Sequence, residues 1–544
     1  MTTILIRGGT VLDGTGASAT EADVLIDQDR IAGLLGPADG PASADQLIDA
    51  SGCIVAPGFI DMHSHADWVL PRADHDALLR VLLEQGVTTV VGGNCGFSPG
   101  PVRPSRLDLL DESLAAMLAG GRLDYDWSSM DGFLGRVEKN DPVVNLAELV
   151  GHSSVRFATS DTRRGPMPSD ELKRCLDEVR RSFDEGACGL SFGLGYHPAM
   201  YSPLEELEAF CRVAAEAARP VTVHLKALSA ISPTYPVTTL QAHNLRALSE
   251  MLKVARNTGV KLQLSHFIFV GRRSWPTAAR AVQMVEQARR DGLDVMIDAF
   301  PYTCGNTTIN VPLPYWFLAM LPRGYHSRWA RTRLRAELEL GFRLVGFGYE
   351  DFQVMDTALE GREDLDGLTI AEIAVRSNAS PFDVLLDLSQ RSAGQTLMLF
   401  HKYSGAPGRE EILDAVLSNP LCLFETDALV TSKGYPNPAA IGTFPRILGE
   451  FVRNRKLFGI EDAIRRMTSA SAERFGLRDR GVLARGKAAD VVIFDPEEVA
   501  DTPPAASRPA ERPKGIRHVF VNGRHVVRDS CFSIGGRAGR VLRG

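Results

Sequence analysis

The sequence predicts an α/β fold: a (β/α)8 TIM-like barrel with a small β-sandwich domain formed by both termini and an insertion in the barrel. Three observations lead to this prediction. Short apolar runs alternate with amphipathic helical stretches through the middle of the chain, and period-two apolar patterning occurs near both ends. Between about 312 and 395 the alternation gives way to helical, charged sequence. Repeated strand–helix units favour a parallel sheet, and many units in succession favour its closure into a barrel.

The barrel is predicted to cover residues 58–479. Typical units are EELEAFCRVAAEAARP followed by VTVHLKA, and LRALSEMLKVARNTG followed by KLQLSHF. We interpret the segment of about 312–395 as an insertion, for which a lid is one role. The strand-like runs TLMLFH and LCLFETDA are predicted to resume the barrel after it.

The two ends of the chain carry short β-like runs. TILIRGG and ADVLIDQDRI lie near the start, and ADVVIFDPEEV and GIRHVFVNGRHVVRD lie near the end. Each group is too short to bury a core alone, so residues 1–57 and 480–544 are predicted to pair into one β-sandwich domain. The Pro- and Arg-rich stretch PPAASRPAERPKG between the last strand groups is expected to be an exposed loop.

Composition limits the binding partners and the cellular compartment that can be expected. The net charge of −7 includes no basic stripe, which argues against nucleic acid as a partner. No apolar run approaches the ~20 residues of a membrane-spanning helix, so no membrane contact is predicted. The eight cysteines lack C-x-x-C spacing, and the N-terminus lacks a secretory pattern. Free thiols are typical of a reducing cytosol, so we predict a cytoplasmic protein, with its oligomeric state left open.

Two histidines follow the first predicted barrel strand. His63 and His65 flank Ser64 directly after the apolar run GFIDM. Residues i and i+2 of a strand project to the same side, so both imidazoles are expected at the carboxyl-terminal face, where barrel active sites lie. Imidazole is the commonest protein metal ligand. An isolated His-x-His is weak evidence, but at this position we interpret it as a pair of metal ligands.

Other strand ends carry further candidate ligands. VTVH ends with His224, LQLSH ends with His266, and VVGGNCG places Cys95 in a tight glycine turn. A buried inert thiol is the usual state of a free cysteine. Cys95 differs because it directly follows a strand, where a thiolate would tighten zinc binding.

A carboxylate completes the candidate site. Asp427 follows LCLFET, the predicted last barrel strand, and could take a proton from metal-activated water and pass it to the leaving nitrogen. A turn or helix N-cap aspartate is the plainer interpretation. Glu425 is a nearby competitor, but two residues earlier it is expected deeper in the barrel. His152 ends the strand-like NLAELVGH and is a further candidate for lining the pocket.

Taken together, these motifs resemble the amidohydrolase superfamily, and within it the N-acyl-D-amino-acid deacylase (D-aminoacylase) family. The resemblance covers nearly the whole chain, including ILIRGGTVLDGTG, EQGVTTVVGGNCGFSPGP, GACGLSFGLGYHPAMY, DAFPYTCGNTT and GTFPRILGEFVR. NCGFSP is quite specific, because most superfamily relatives use a carboxylated lysine where this family has cysteine.

The resemblance implies a zinc-dependent hydrolase that cleaves an amide C–N bond of a small-molecule substrate. It implies one zinc ion held tightly by Cys95, His224 and His266, with His63 and His65 at an adjoining position for a second. Asp427 matches the family's catalytic aspartate. The candidate substrate-binding residues are His152, Tyr196, Lys226, Phe267, Ile268 and Tyr302, of which His152 or Tyr196 could stabilise an oxyanion.

Departures from the family pattern bear on the substrate. The family's lysine after the second barrel histidine, which helps hold the substrate carboxylate, is missing from His266-Phe267-Ile268-Phe269. Three other motifs also differ and read His224-Leu225-Lys226, Thr426-Asp427-Ala428 and Asn437-Pro438-Ala439. A buried carboxylate without a cationic partner is costly. The chemistry is therefore expected to be kept while the contacts to a substrate carboxylate change.

Three functions stay open at this point. The first is hydrolysis of a linear amide, with N-acyl-D-amino acids as the family's default substrate. The second is hydrolysis of an uncharged or aromatic amide, carbamate or cyclic amide, which the apolar Phe267, Ile268 and Phe269 would suit. The third is a catalytically silent binding protein, which intact ligand positions argue against.

Overall fold

The computed structural model describes residues 3–36, 43–108, 110, 122–162, 164–236, 239–427, 429–430, 433–502, 512–533 and 535–544. Ala428 and most of the loop PPAASRPAERPKG lie outside the described residues. The strands are, in chain order, β1 (Thr3–Arg7), β2 (Thr10–Val11), β3 (Thr20–Glu21), β4 (Asp23–Asp27), β5 (Arg30–Leu35), β6 (Gln46–Asp49), β7 (Ile54–Pro57), β8 (Phe59–Asp61), β9 (Val87–Gly92), β10 (Asn145–Gly151), β11 (Gly189–Gly193), β12 (Val221–His224), β13 (Leu262–Leu264), β14 (Val295–Ala299), β15 (Cys304–Thr308), β16 (Phe352–Asp356), β17 (Leu397–His401), β18 (Cys422–Phe424), β19 (Val491–Phe494), β20 (Ile516–Val521), β21 (Arg524–Arg528) and β22 (Cys531–Phe532).

A parallel sheet of eight strands forms the barrel. Its order is β8-β9-β10-β11-β12-β13-β14-β18, and each neighbouring pair is parallel. Asp427 donates its N–H to the His63 carbonyl (3.0 Å), and the Thr426 N–H donates to the Asp61 carboxylate (3.0 Å). These bonds hold the end of β18 against the end of β8, so the barrel is nearly closed. Strands such as β9 and β10 are buried along their whole length, which explains their continuous apolar runs.

Helices follow most barrel strands and cover the outside of the sheet. In Ser169–Asp184, Cys175, Val179 and Phe183 are four residues apart and buried, whereas Lys173 is exposed and pairs with Asp177. This spacing places the apolar side chains on one helical face. The described α-helices are His75–Leu83, Met130–Lys139, His152–Thr159, Ser169–Asp184, Leu204–Glu216, His243–Thr258, Ala278–Arg290, Tyr315–Leu318, Arg328–Val345, Ile370–Ser377, Pro381–Arg391, Glu411–Leu417, Pro438–Arg446, Ile460–Met467 and Ser469–Phe475.

The two termini pack together as predicted. A four-stranded sheet has the order β5-β4-β1-β6, and a seven-stranded sheet has the order β22-β21-β20-β19-β7-β2-β3. In the second sheet the C-terminal β19 pairs antiparallel with the N-terminal β7, with Val491 opposite Pro57. Ile26, Val55 and Phe520 belong to one buried core that both ends of the chain supply. The predicted fold class is confirmed.

One strand assignment from the sequence is wrong. The run TLMLFH contains β17, which pairs antiparallel with β15 and β16 in a separate three-stranded sheet and does not resume the barrel. Phe400 in β17 packs with Phe317 and Phe352 in a core distinct from that of the barrel. The apolar pattern correctly indicated a buried strand but carried no information about which sheet would bury it. The domain bounds 1–57 plus 480–544 and 58–479, with the insertion at about 312–395, stay predictions.

No helix in the described ranges combines sufficient length with sufficient apolar character to cross a bilayer.

Candidate active site

The carboxyl ends of five barrel strands bring sulfur, imidazole and carboxylate groups together. His63 and His65 follow β8, Cys95 follows β9, His224 ends β12, His266 follows β13, and Asp427 follows β18. Because β12 and β13 are adjacent parallel strands, His224 and His266 at their carboxyl ends lie next to each other. All of these residues except Asp427 are at least nine-tenths buried.

Cys95 lies at the centre of this group. Its Sγ is 3.5 Å from His63 Nε2, 3.5 Å from His266 Nε2 and 3.8 Å from His224 Nδ1. Asp427 Oδ1 lies opposite, 3.5 Å from His63 Nε2 and 3.3 Å from His65 Nε2. The donor atoms form two sets, each within 4.8 Å: one of Cys95, His224 and His266, and one of Cys95, His63, His65 and Asp427.

This donor chemistry fits a metal centre. Thiolate and imidazole are the donors that zinc prefers, and a carboxylate is its usual third type of ligand. His224 Nδ1 and His266 Nε2 are only 2.8 Å apart, which brings two imidazole nitrogens toward a common point. The set of residues predicted as ligands from the sequence is thus brought together in one place, and their roles stay proposals.

The local backbone conformation sets the orientation of the Cys95 thiol. Cys95 has φ of 55° and is preceded by Gly93 at 72° and followed by Gly96 at 79°, all in the left-handed region. A Cβ on Gly93 would come within 2.0 Å of the Leu149 carbonyl oxygen, so only glycine fits there. His266 and Asp427 also have positive φ, of 32° and 46°. Backbone strain of this kind concentrates at functional sites.

The electrostatic environment favours the ionised forms of the acidic members. Burial opposes ionisation of Cys95, but the positive charge of His63 and hydrogen bonds from three imidazoles hold its pKa well below the ordinary value. Burial likewise opposes ionisation of Asp427, but a hydrogen bond from His65 and the charge of His63 lower its pKa. Both shifts favour the ionised forms, a thiolate and a carboxylate.

Asp298 at the end of β14 supports the histidines, and the sequence analysis missed it. Its Oδ1 accepts the backbone N–H of His266 (2.7 Å) and lies 3.6 Å from Nδ1 of the His63 ring, while its Oδ2 accepts from the side-chain amide of Gln263 (2.7 Å). A carboxylate close to an imidazole nitrogen can fix the orientation of the ring, and here Asp298 lies close to the ring of His63. The signal was present in DVMIDAF, a strand that ends with a carboxylate at the same barrel face as the other ligands.

The structure places His152 in a different cluster. Its Nε2 is 3.0 Å from Glu206 Oε1, which also accepts from Arg156 (3.1 Å) and Ser202 (2.7 Å). The His152 ring contacts those of Phe192 and Phe210 at centroid distances of 5.1 and 4.7 Å. His152 therefore belongs to a buried polar cluster with Glu206. Its predicted role in the substrate pocket stays a prediction.

Removing the arginine from this cluster should destabilise the protein. We expect Arg156→Met to lower the free energy of unfolding by about 3–5 kcal/mol, because it leaves the buried Glu206 without its cation. Urea denaturation measures the change. Arg174→Met is the control, since Arg174 makes an exposed ion pair with Asp170 and should change stability little. Equal effects from the two variants would contradict the prediction.

The other predicted substrate-binding residues lie in different surroundings. The Tyr196 ring is 4.5 Å from that of His224, and Tyr196 is 37% exposed. The half-buried Lys226 has its Nζ 5.5 Å from the Tyr235 ring centroid. Phe267 stacks edge-on against Phe269 in the main core.

An apolar cluster begins two residues after His266. Ile268 packs there with Phe300, Tyr302 and Ala439, and the Tyr302 hydroxyl donates to Asp501 (2.9 Å). Tyr403 packs against the same cluster, and its pKa is raised by burial and by the negative charge of Asp427. The cluster is connected to the candidate centre through the short segment from His266 to Ile268, whose N–H donates to the His266 carbonyl (2.6 Å).

A barrel that gathers thiolate and imidazole groups around a carboxylate at its strand ends defines a metal-dependent hydrolase of the TIM-barrel class. The chain belongs to the amidohydrolase family, whose family model matches residues 46–308 and 411–527. It is a hydrolase of carbon–nitrogen bonds other than peptide bonds. The unmatched stretch between the two ranges contains β16 and β17 of the inserted sheet.

Individual relatives match almost end to end. The chain is 32% identical over 544 residues to a D-aminoacylase of Alcaligenes xylosoxydans xylosoxydans, covering 99% of this chain and 97% of that protein. It is 31% identical to an N-acyl-D-glutamate deacylase of the same organism, covering 99% and 96%.

Solved structures show the same similarity. An N-acyl-D-glutamate deacylase from Bordetella bronchiseptica, complexed with zinc and a phosphonate mimic of the tetrahedral intermediate, matches with TM-score 0.81 and 29% identity over the whole of both chains. A D-aminoacylase structure matches with TM-score 0.78 and 30% identity, again over both chains in full. A further D-aminoacylase structure, solved to examine a binuclear metal centre, matches with TM-score 0.77 and 30% identity.

Proposed function

We propose that this chain is a zinc-dependent amidohydrolase that cleaves the amide bond of a small molecule. Cys95, His224 and His266 would hold one zinc ion tightly, and His63 and His65 would offer an adjoining position for a second. The observation that carries the proposal is the convergence of three imidazole nitrogens within 3.5–3.8 Å of the Cys95 sulfur. A relative that is 29% identical was solved with zinc, which supports the choice of metal.

The chain's own residues supply the proton chemistry. Bound zinc supplies a Lewis acid that polarises a carbonyl and lowers the pKa of a water molecule. Asp427 is ionised and reaches the same space as His63 and His65, so its carboxylate can accept a proton from the attacking water. The same carboxyl then protonates the departing nitrogen, which completes general base and general acid catalysis with one residue.

The relatives favour an N-acyl-D-amino acid as the first candidate substrate. A second candidate, an uncharged or aromatic amide, carbamate or cyclic amide, is favoured by the apolar cluster. Ile268 and Ala439, two positions at which the chain departs from the D-aminoacylase pattern, pack in that cluster together. Lys226 is another position at which the chain departs from that pattern. Its ammonium group contacts the Tyr235 ring, and burial lowers the pKa of Lys226. The free cysteines support a cytoplasmic location for either reaction.

The two substrate classes can be separated by one pair of compounds. If the second class is correct, wild-type kcat/KM is expected to be at least about tenfold higher for N-acetyl-D-leucine amide than for N-acetyl-D-leucine, since the family's lysine after His266 is missing and burying a carboxylate without a cation costs more than about 1.4 kcal/mol. Release of acetate from each compound is the measurement. Ile268→Lys should narrow the ratio, and Ile268→Met should preserve it as an apolar control. Faster turnover of the free acid by wild-type protein would return the assignment to N-acyl-D-amino acids.

A further inference from the structure

A buried carboxylate near the candidate centre takes no part in the proposed hydrolysis. Glu425 lies two residues before Asp427, at the end of β18, and is fully buried. Neither of its carboxylate oxygens has a hydrogen-bond partner among the described residues. Buried carboxylates are normally paired or hydrogen-bonded, because an unpaired one is costly.

A second unpartnered atom faces the same space. His63 directs its Nε2 toward Cys95 and Asp427, and its Nδ1 has no hydrogen-bond partner within the described part of the chain. That Nδ1 is 3.6 Å from Asp298 Oδ1, and donor atoms of His63, Asp298 and Glu425 all lie within 4.8 Å of one another. Ligand atoms about 2.0–2.4 Å from one cation are separated by distances of this order.

The nearby carboxylate of Asp61 does not share this lack of partners. Asp61 is already satisfied by the Thr426 hydroxyl (2.6 Å) and the Thr426 N–H (3.0 Å). Within the described ranges, Glu425 is thus a carboxyl group beside His63 whose two oxygens both lack a hydrogen-bond partner.

We propose that Glu425, Asp298 and His63 Nδ1 form an additional divalent-cation site, the floor site, beneath the candidate zinc centre. Two carboxylates and one imidazole suit a cation that accepts oxygen and nitrogen ligands, such as Mn²⁺, better than one that requires sulfur. A neutral imidazole has one free lone pair, so His63 can serve the floor site or the upper position with His65, but not both at once. The zinc group of Cys95, His224 and His266 does not depend on His63.

Manganese binding to a variant that lacks the upper position tests the floor site. His65→Ala protein, loaded with one zinc per chain, is titrated with Mn²⁺ and followed by electron paramagnetic resonance. We expect one Mn²⁺ to bind per chain, and addition of Glu425→Gln to weaken binding by at least about tenfold without loss of zinc. Glu148→Gln in the same background is the matched control, because Glu148 is also fully buried with unpartnered oxygens but belongs to no ligand group.

The outcomes separate this proposal from the proposed function. Absence of bound Mn²⁺ in the His65→Ala protein, or equal binding after Glu425→Gln, overturns the floor site while zinc content and amide hydrolysis of wild-type protein are unaffected. Thermal unfolding verifies that each variant is folded. Should Glu425→Gln fail to fold, Glu425→Asp replaces it, and its shorter carboxylate is expected to weaken Mn²⁺ binding in the same direction.

Discussion

Asp427→Asn is expected to lower kcat by roughly 10³-fold while the protein keeps its tightly held zinc, because positioned acid–base groups contribute about 10²–10⁴ in rate. The asparagine amide matches the carboxylate in shape but cannot accept a proton from water or return it to nitrogen. The proposed zinc ligands Cys95, His224 and His266 form a set that does not include Asp427, so metal content is not expected to change. Steady-state kinetics and zinc quantification on the same sample measure both quantities.

The control for this variant is Asp427→Glu. It retains the ionisable group at a displaced position, so its activity is expected to lie between those of wild-type protein and Asp427→Asn. An Asp427→Asn protein with wild-type kcat would remove Asp427 as the general base. A protein that loses zinc together with activity would instead identify Asp427 as part of the metal-holding set.

Cys95→Ala is expected to reduce bound zinc from one per chain to below about a tenth, and hydrolysis should fall with it, because thiolate ligands dominate tight zinc binding. The Cys95 sulfur is the donor common to both ligand sets. Its removal leaves one set with two imidazoles and the other with two imidazoles and a carboxylate. Despite burial, the imidazoles around Cys95 lower the pKa of its thiol, which favours the thiolate that a metal binds. Metal analysis after dialysis and an amide-hydrolysis assay test the expectation.

Cys211→Ala is the matched control for the thiol. Cys211 is also fully buried, but it lies in the helix Leu204–Glu216, and burial raises its pKa. We expect Cys211→Ala to keep both zinc and activity. Full zinc content in Cys95→Ala would contradict the proposed centre, and wild-type protein with less than about a tenth of a zinc per chain would favour the silent binding protein.

The sequence by itself determined that the six candidate metal and catalytic residues would meet at one face of the barrel, although it did not reveal Asp298 beside them. Parallel strands end at one edge of a sheet, so apolar runs that end in His63, His224, His266 and Asp427 have to deliver these side chains to the same face. The glycine turn that holds Cys95 was visible in GGNCG, because positive φ values require glycine around the cysteine. The predicted fold class, with both termini in one β-sandwich, followed from the same two periodicities.

Only the tertiary structure decided which sheet a buried strand joins and which residues a buried polar side chain contacts. The run LMLF of β17 is buried, yet its position in the inserted sheet depends on pairing with β15 and β16. His152 ends up beside Glu206, 54 residues away, and Glu425 ends up beside Asp298 without a hydrogen-bond partner in the described ranges. Hydrophobic patterning indicates that a residue is buried, because burial follows from its apolar side chain and from the spacing of apolar residues along the chain. It does not record which distant residue shares the burial, because that choice is made by the packing of the whole chain.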